Sequence, residues 1–347
     1  MILAIEIGGT KLQLAVGQAG GEFVDVVRQD VSIAAGAQGI LEQIEAAGLA
    51  LAQKHKPTRI GVGFGGPVDR QQGIVLKSHQ VNGWNHFPLA QWCQKTLGLP
   101  AVIGNDCDVA ALAEATFGAG RDAETVFYVT VGTGIGGGLV SGGRLFGVGR
   151  PAVAEIGHLR PGLLADRPEA TVEALAAGPG IAAAAQDRLT GQVARPISSA
   201  LHRAEDDDEP RDMRQRLADA ELADEEFVAD LLGRCEQDVE TLTAKHVAQA
   251  AVDGNEIARD VLAHAQQALG WAIAQAITLL AVEVVVIGGG VSLTGERYFL
   301  APLRQVVERY VFPPLKDSYQ IVPTRLGEEV VLHGAMALAE EEMRNAN

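Results

Sequence analysis

Cysteine and positive charge are both scarce in this chain, and no apolar run is long and unbroken enough to cross a membrane. The three cysteines, Cys93, Cys107 and Cys235, are odd in number and scattered. That suits a reducing cytosol better than a disulfide framework and leaves no pair at zinc-ligand spacing. Lys and Arg number 28 against 44 Asp and Glu, a formal net charge of −16. Such a balance argues against nucleic acid or an anionic membrane as partner, so a phosphate ligand would have to be held locally, by loops and metal. The most apolar stretch, Trp271 to Gly290, is broken by Gln275, Glu283 and a glycine triplet, and Glu6 interrupts the first apolar segment before a signal-peptide core forms. The expectation is a soluble, cytoplasmic protein.

What is present is enough for about two domains, since 347 residues with 47% hydrophobic content can bury a core in each. The chain builds the same glycine hairpin twice, ILAIEIGGTKLQLAVG at Ile2 to Gly17 and VFYVTVGTGIGGGLVSGG at Val126 to Gly143. The turns read Gly8-Gly9-Thr10 and Gly132-Thr133-Gly134-Ile135-Gly136-Gly137. Glycines there are expected to take positive φ and bring bare N–H groups against an anion, with a threonine hydroxyl as a further donor. Gly132, Gly134 and Gly137 also fit G-x-G-x-x-G, but a dinucleotide site needs a helix next, and more glycines follow instead. P-loop spacing is absent from both turns. A ligand-free structural hairpin is the alternative for either copy alone.

Strands are expected at Phe23 to Val31, Arg59 to Phe64 and Ala101 to Gly104, with helices at Ala37 to Lys54 and Val109 to Phe117, an alternation that makes the class α/β. Helices dominate after Ala170. Glu205 to Glu209 reads as a solvated acidic loop, Val239 to Leu280 as amphipathic helix and Glu283 to Ile287 as a buried strand ending in Gly288-Gly289-Gly290. A helix over Glu328 to Arg344 closes the chain.

GGTK at Gly8 to Lys11, GFGGPVD at Gly63 to Asp69, GNDCDVAALAE at Gly104 to Glu114, VGTGIGGG at Val131 to Gly138, EIGH at Glu155 to His158 and IGGGVS at Ile287 to Ser292 follow one another in a known order. With them the chain resembles the ROK family of sugar kinases, from Ile2 to about Leu338, the stretch between roughly Pro196 and Asp230 being least typical. The resemblance implies a two-lobed actin-like ATPase fold of the ribonuclease-H-like kind. Residues 1–118 plus a C-terminal helix over 328–347 would form the small lobe, and 119–327 a helix-rich large lobe with an acidic helical insertion at about 196–230. It also implies ATP-dependent phosphorylation of a hexose, with ATP and Mg2+ bound.

Asp106 matches the family's catalytic base, and general-base help contributes about 10²- to 10⁴-fold in rate. A helix N-cap is the competing role for Asp106, although Asp108 could cap the same helix. Asn105, Glu155, His158 and Glu173 match the sugar contacts, with Gly65 and Gly66 lining the same cleft; a satisfied core histidine is the other reading of His158. Gly8, Gly9, Thr10, Gly132, Thr133 and Gly134 would hold the phosphates, and Gly288, Gly289 and Gly290 would pass near the adenosine. Lys11 reads equally as a solvated surface lysine and is not assigned to catalysis.

The chain departs from the pattern twice. Glu6 stands where most ROK kinases place the Asp that organises magnesium, and its extra methylene would shift that site. A cysteine run that holds structural zinc in many members is replaced by Leu164 to Thr171 without cysteine, so no zinc is expected. Glucose is the first substrate reading, from the match to glucose-binding members. Fructose, mannose or N-acetylmannosamine, and a non-catalytic sugar-binding or regulatory protein, are the alternatives. Regulators of the family carry a helix-turn-helix ahead of the first hairpin, whereas this acidic sequence starts at the hairpin. ROK proteins are often dimers, so a homodimer is compatible with the resemblance.

Overall fold

A computed structural model describes residues 1–345 apart from 19, 79, 148, 151, 163–166 and 192–212, with the backbone alone for 213–223, 344 and 345. Each glycine hairpin opens a five-stranded sheet of the same plan. In the first, β1 (Ile2–Ile7), β2 (Lys11–Gly17) and β3 (Phe23–Asp30) run antiparallel. On the other side of β1, β4 (Arg59–Phe64) pairs in parallel, and the short pair β5 (Val68–Asp69) and β6 (Ile74–Val75) precedes β7 (Ala101–Asn105), which pairs in parallel with β4. The second sheet repeats this with β8 (Thr125–Val131), β9 (Ile135–Ser141) and β10 (Arg144–Leu145) antiparallel, then β11 (Val284–Gly288) and β12 (Gln320–Pro323) parallel to β8.

Period-2 burial assigns the faces. Leu3, Ile5, Ile7, Leu12 and Leu14 pack with α1 (Gly36–His55) and α2 (Leu89–Leu97), while Ile2, Ala4 and Ala15 pack on the C-terminal helix Val330–Asn345. In the second sheet, Phe127, Val129 and Val131 join the helices of the 172–280 region. Val126, Tyr128 and Val140 meet α3 (Asp106–Thr116) and the C-terminal helix. α3 and the C-terminal helix therefore form a central layer between the sheets, which is why α3 is built from small apolar residues buried on every side.

Glycines make that layer possible by close approach. A Cβ on Gly138 of β9 would lie 2.3 Å from the Cys107 carbonyl, and one on Gly334 would lie 1.8 Å from the Val109 carbonyl. The other end of α3 is tied by Glu114, fully buried. Its Oε1 accepts from Thr324 Oγ1 at 2.6 Å, Arg325 N at 3.0 Å and Leu326 N at 3.1 Å, and its Oε2 from Ala119 N at 2.7 Å. A buried carboxylate with four donors is held where it is, because each lost donor would be an unpaired buried group.

Several expectations are corrected. α3 begins at Asp106 rather than Val109, because Asn105 caps it by accepting from Cys107 N and Asp108 N; Asp108 is not the cap. The second turn ends at Gly134, and Gly136 and Gly137 are strand residues of β9. The helical pattern from Val239 to Leu280 is cut by Gly254 at φ 109° and the cap Asn255 into Ala244–Asp253 and Glu256–Leu280. Periodicity does not sense such a break. The closing helix starts at Val330, after a 3-10 turn over Gly327–Glu329. The β5, β6, β10 and β12 segments were too short to be read from pattern, and α2 was not anticipated. Residues 164–166 of the cysteine-free loop and 196–212 of the acidic insertion lie outside the described residues, while 213–234 is helix as expected.

Gly334→Ala should destabilise the protein by about 1–3 kcal/mol or more, because its Cβ has backbone rather than a pliable side chain to displace. Gly233→Ala, in the exposed part of helix Met213–Arg234 with nothing within 4 Å of its Cβ, should stabilise by about 0.5–1 kcal/mol. Urea denaturation of the two variants tests the pair.

Candidate functional site

Parallel pairing brings three strand ends to one level. Ile7 of β1 is opposite Phe64 of β4, which is opposite Asn105 of β7, so Gly8, Gly65 and Asp106 each follow the carboxyl end of adjacent strands, the usual ligand edge of such a sheet. Gly65 N donates to Ile7 O at 2.9 Å. A Cβ on Gly65 would be 3.6 Å from Asp106 Oδ2 and 3.7 Å from the Gly8 Cα. Asn105 Nδ2 donates to Gly66 O at 3.0 Å while its Oδ1 caps α3, so this side chain already binds β7 to the Gly65-Gly66 turn. Asp106 Oδ1 accepts from Cys107 N at 2.9 Å.

The turns do not use positive φ as expected: Gly8, Gly9, Gly132 and Gly134 all lie outside the left-handed region. Absence of a side chain is what matters there. A Cβ on Gly9 would collide with Gln80 Oε1 at 1.5 Å, and one on Gly134 would lie 2.6 Å from Glu173 Oε2.

Four carboxylates surround the Asp106 end of α3. Burial raises Asp106 above the ordinary carboxylate range, against hydrogen bonding from the Cys107 backbone. Burial also raises Glu6, with the Asp106 charge adding to it and Lys11 and Gln13 opposing it. Asp108 is pushed up to about 7 by burial, then by the charges of Asp106 and Glu155, with Arg70 opposing. Lys11, read from sequence as equally a surface residue, has its Nζ 3.5 Å from Glu6 Oε1. Among the described residues no group of three or more His, Cys, Asp or Glu is arranged to hold a metal ion.

Glu155 is the N-cap residue of a 3-10 turn, Ile156–His158, whose last residue is His158, with His158 Nε2 4.0 Å from Glu155 Oε2 and both side chains exposed, so His158 is not a core histidine. Glu173, on the short helix Val172–Ala176 capped by Thr171, accepts from Ile135 N at 2.8 Å. It thereby anchors the start of β9 beside the second glycine turn.

On the far side of that turn is a cavity of about 810 Å³, lined by Gly132, Thr133, Gly178, Lys245, Gly290 and Leu293 among others. Helix Gly178–Leu189 starts at its wall, with Gly178 N donating to Gly132 O at 2.8 Å, and a helix N-terminus favours an anion. Of the triplet expected near adenosine, Gly290 lines the cavity. Gly288 is set against Tyr128, whose Oη would be 2.2 Å from a Cβ there, and Gly289, at φ 87°, turns the chain against the Val131 backbone.

The ROK family model matches residues 2–342. The chain belongs to the ROK family. A glucokinase of Thermotoga maritima is 28% identical over 343 residues, 99% of this chain and 98% of its own. An N-acetylmannosamine kinase of Shigella flexneri is 37% identical over 204 residues, 56% of this chain and 68% of its own. The structure of a ROK family glucokinase from Streptomyces griseus with glucose and AMPPNP has a TM-score of 0.76 and 28% identity, covering 98% of this chain and 99% of that one. The fold is the actin-like ATPase fold of these ROK neighbours, and no helix among the described residues is long and apolar enough to cross a membrane.

Gln13, Gln80 and Lys245 lie outside the ROK motifs, and Asp108, inside one of them, reads from sequence only as a possible helix cap. Gln13 had a signal, a lone amide among Leu12, Leu14 and Val16 in a buried strand. Nothing in the local sequence marks Gln80 or Lys245, which reach the site from loops and helices placed by tertiary packing.

Asp108→Asn should stabilise the protein at pH 8 and have little effect at pH 4. The unfolded aspartate ionises near its ordinary value while the folded one holds its proton to about 7, so the penalty on the native state grows as pH rises between the two and is complete above 7. Melting temperature of the variant and the parent across that range is the measurement.

Proposed function

We propose that this ROK protein transfers the γ-phosphoryl group of ATP to a hexose, converting glucose to glucose 6-phosphate, with Asp106 as general base. The placement of the Asp106 carboxylate beside Gly8 and Gly65, at the aligned ends of β1, β4 and β7, carries the reading. The similarity to glucokinases over nearly the whole chain supports it. Phosphoryl transfer asks the protein for position and charge stabilisation more than for covalent chemistry. In this reading Asp106 takes the proton of the sugar hydroxyl as its oxygen bonds to the γ-phosphorus and the bond to the leaving ADP oxygen breaks. Burial makes Asp106 a stronger base than an exposed aspartate.

Glu155, His158, Glu173 and the Gly65-Gly66 turn would hold the sugar, with Asn105 fixing that turn rather than reaching freely for a hydroxyl. Gly8, Gly9, Thr10, Gly132, Thr133 and Gly134 would bind phosphates, and the 810 Å³ cavity is within the size range of small-molecule sites, about 300–1,000 Å³, and would take the adenosine. The donor set at the phosphate end is hard carboxylate oxygen, which suits Mg2+ held by one or two carboxylates plus phosphate oxygens and waters. Glu6 would hold that ion, whose chemistry is to neutralise charge on the phosphates. The first sheet with the C-terminal helix, 1–118 and 328–347, would close as one lobe on 119–327. The N-acetylmannosamine kinase relative keeps another hexose as the second substrate reading.

In an ADP-release assay with ATP, Mg2+ and a panel of hexoses, glucose should give the highest kcat/KM, and Asp106→Asn should lower kcat by about 10²- to 10⁴-fold. Because burial raises Asp106, the acid limb of kcat/KM should lie at higher pH than an exposed aspartate would set, activity falling as the base is protonated. Retained turnover in Asp106→Asn would remove it as the base. Ala248→Trp, which fills the cavity wall, should raise KM for ATP and leave the glucose-induced thermal shift unchanged.

A further inference from the structure

Gln13 is fully buried in the middle of a sheet, and the reading above gives it no part. It sits in a row that crosses three strands, directly opposite Glu6 on β1 and directly opposite Arg28 on β3. Side chains opposite one another on the same face of a sheet interact as pairs. By the period of the strands this is the face of Ile2, Ala4 and Ala15, covered by the C-terminal helix. On one side of the row lie Ala4 and Ala15 under the C-terminal helix, and on the other Lys11 opposite Asp30; a fully buried amide there costs free energy unless every polar atom is satisfied.

Each atom is satisfied in one sense only. Gln13 Nε2 donates to Glu6 Oε2 at 2.7 Å and to the Glu328 carbonyl at 3.4 Å. Gln13 Oε1 accepts from Arg28 Nε at 2.9 Å, and Arg28 in turn pairs with Glu329 at the foot of the C-terminal helix. The guanidinium on one side and the carboxylate and carbonyl on the other fix which way the amide points, because a flipped amide would set its oxygen against Glu6 and its NH2 against Arg28. Glu6 thus has one oxygen held by Gln13, while Lys11 Nζ lies 3.5 Å from the other. A glutamate has one more rotatable bond than an aspartate in the same place, and this row removes that freedom.

We propose that Gln13 is a positioning residue that acts through Glu6, holding its carboxylate at the first glycine turn, with Arg28 fixing the orientation of the Gln13 amide. This rests on the reading of Glu6 as the residue that holds the divalent ion. It makes the first sheet's polar row, rather than the turn alone, the determinant of how tightly that ion is bound.

The test uses Mn2+ as probe, followed by electron paramagnetic resonance in titrations of the full chain with ADP present, alongside melting temperatures and KM for MgATP. Gln13→Met, close in length and without a donor, should weaken Mn2+ binding about 10- to 100-fold, the usual cost of losing a partner behind a metal ligand. Arg28→Met, at a half-exposed position, should weaken it in the same direction by a smaller factor. In a Glu6→Gln background, Gln13→Met should cause no further loss, as expected of residues acting through one group. A lower melting temperature with unchanged Mn2+ affinity in Gln13→Met would overturn the proposal by leaving Gln13 a packing residue. If Gln13→Met does not fold, unchanged Mn2+ affinity in Arg28→Met overturns it. Loss of affinity in Glu6→Gln but in neither other variant overturns the proposal alone, whereas unchanged affinity in Glu6→Gln overturns the reading of Glu6 as well.

Discussion

The position of α3 is the constraint on which the rest depends. Its backbone touches β9 across Gly138 and the C-terminal helix across Gly334, and its far end is gripped by four donors on Glu114. A helix packed at backbone distance on two sides has little room to slide, since interiors are dense and resist small displacements. Asp106 begins this helix, so the same contacts that join the two sheets also place the carboxylate. Anything that separated α3 from β9 or from the C-terminal helix would move the site as well as weaken the fold.

Charge is handled locally throughout, as the acidic composition required. The Asp106 end of α3 gathers Glu6, Asp106, Asp108 and Glu155, and burial raises the proton affinity of Glu6, Asp106 and Asp108, with repulsion from neighbouring carboxylates adding to it at Glu6 and Asp108. Opposing charge comes from single side chains, Lys11 toward Glu6 and Arg70 toward Asp108. Arg70 is itself engaged by Glu341 and Glu342 on the C-terminal helix. The row Glu6, Gln13, Arg28 follows the same rule, with both polar atoms of the buried Gln13 amide meeting specific counterparts.

The fold was legible where pattern extends over several turns or strands. Both hairpins, β4, α1 and the strand before the third glycine cluster follow from alternation or helical spacing, while the two sheets of one plan that the hairpins open are seen only in the structure. Short elements were not legible. β12 has four residues and β10 two, too few for a period, and they form because neighbouring strands offer unpaired edges. Of the site, motif order singled out Asp106, Glu155, His158 and Glu173, and it assigned Asn105 to a ligand without showing that the same amide caps α3 and donates to Gly66 O. The positive φ expected of the turn glycines is not used at Gly8, Gly9, Gly132 or Gly134.

By itself the sequence determined the α/β class, the duplicated glycine hairpin and the ROK membership, because these are written in periodicity and in motifs contiguous along the chain. Tertiary structure alone decided that Gln80 lies over Gly9, that Glu173 reaches Ile135 and that Gln13 stands between Glu6 and Arg28. Gln80 and Gly9, and Glu173 and Ile135, are far apart along the chain, whereas Gln13 meets Glu6 and Arg28 through the register of consecutive strands. Strand register and helix packing set these pairings, and both are properties of the assembled sheets rather than of any local segment.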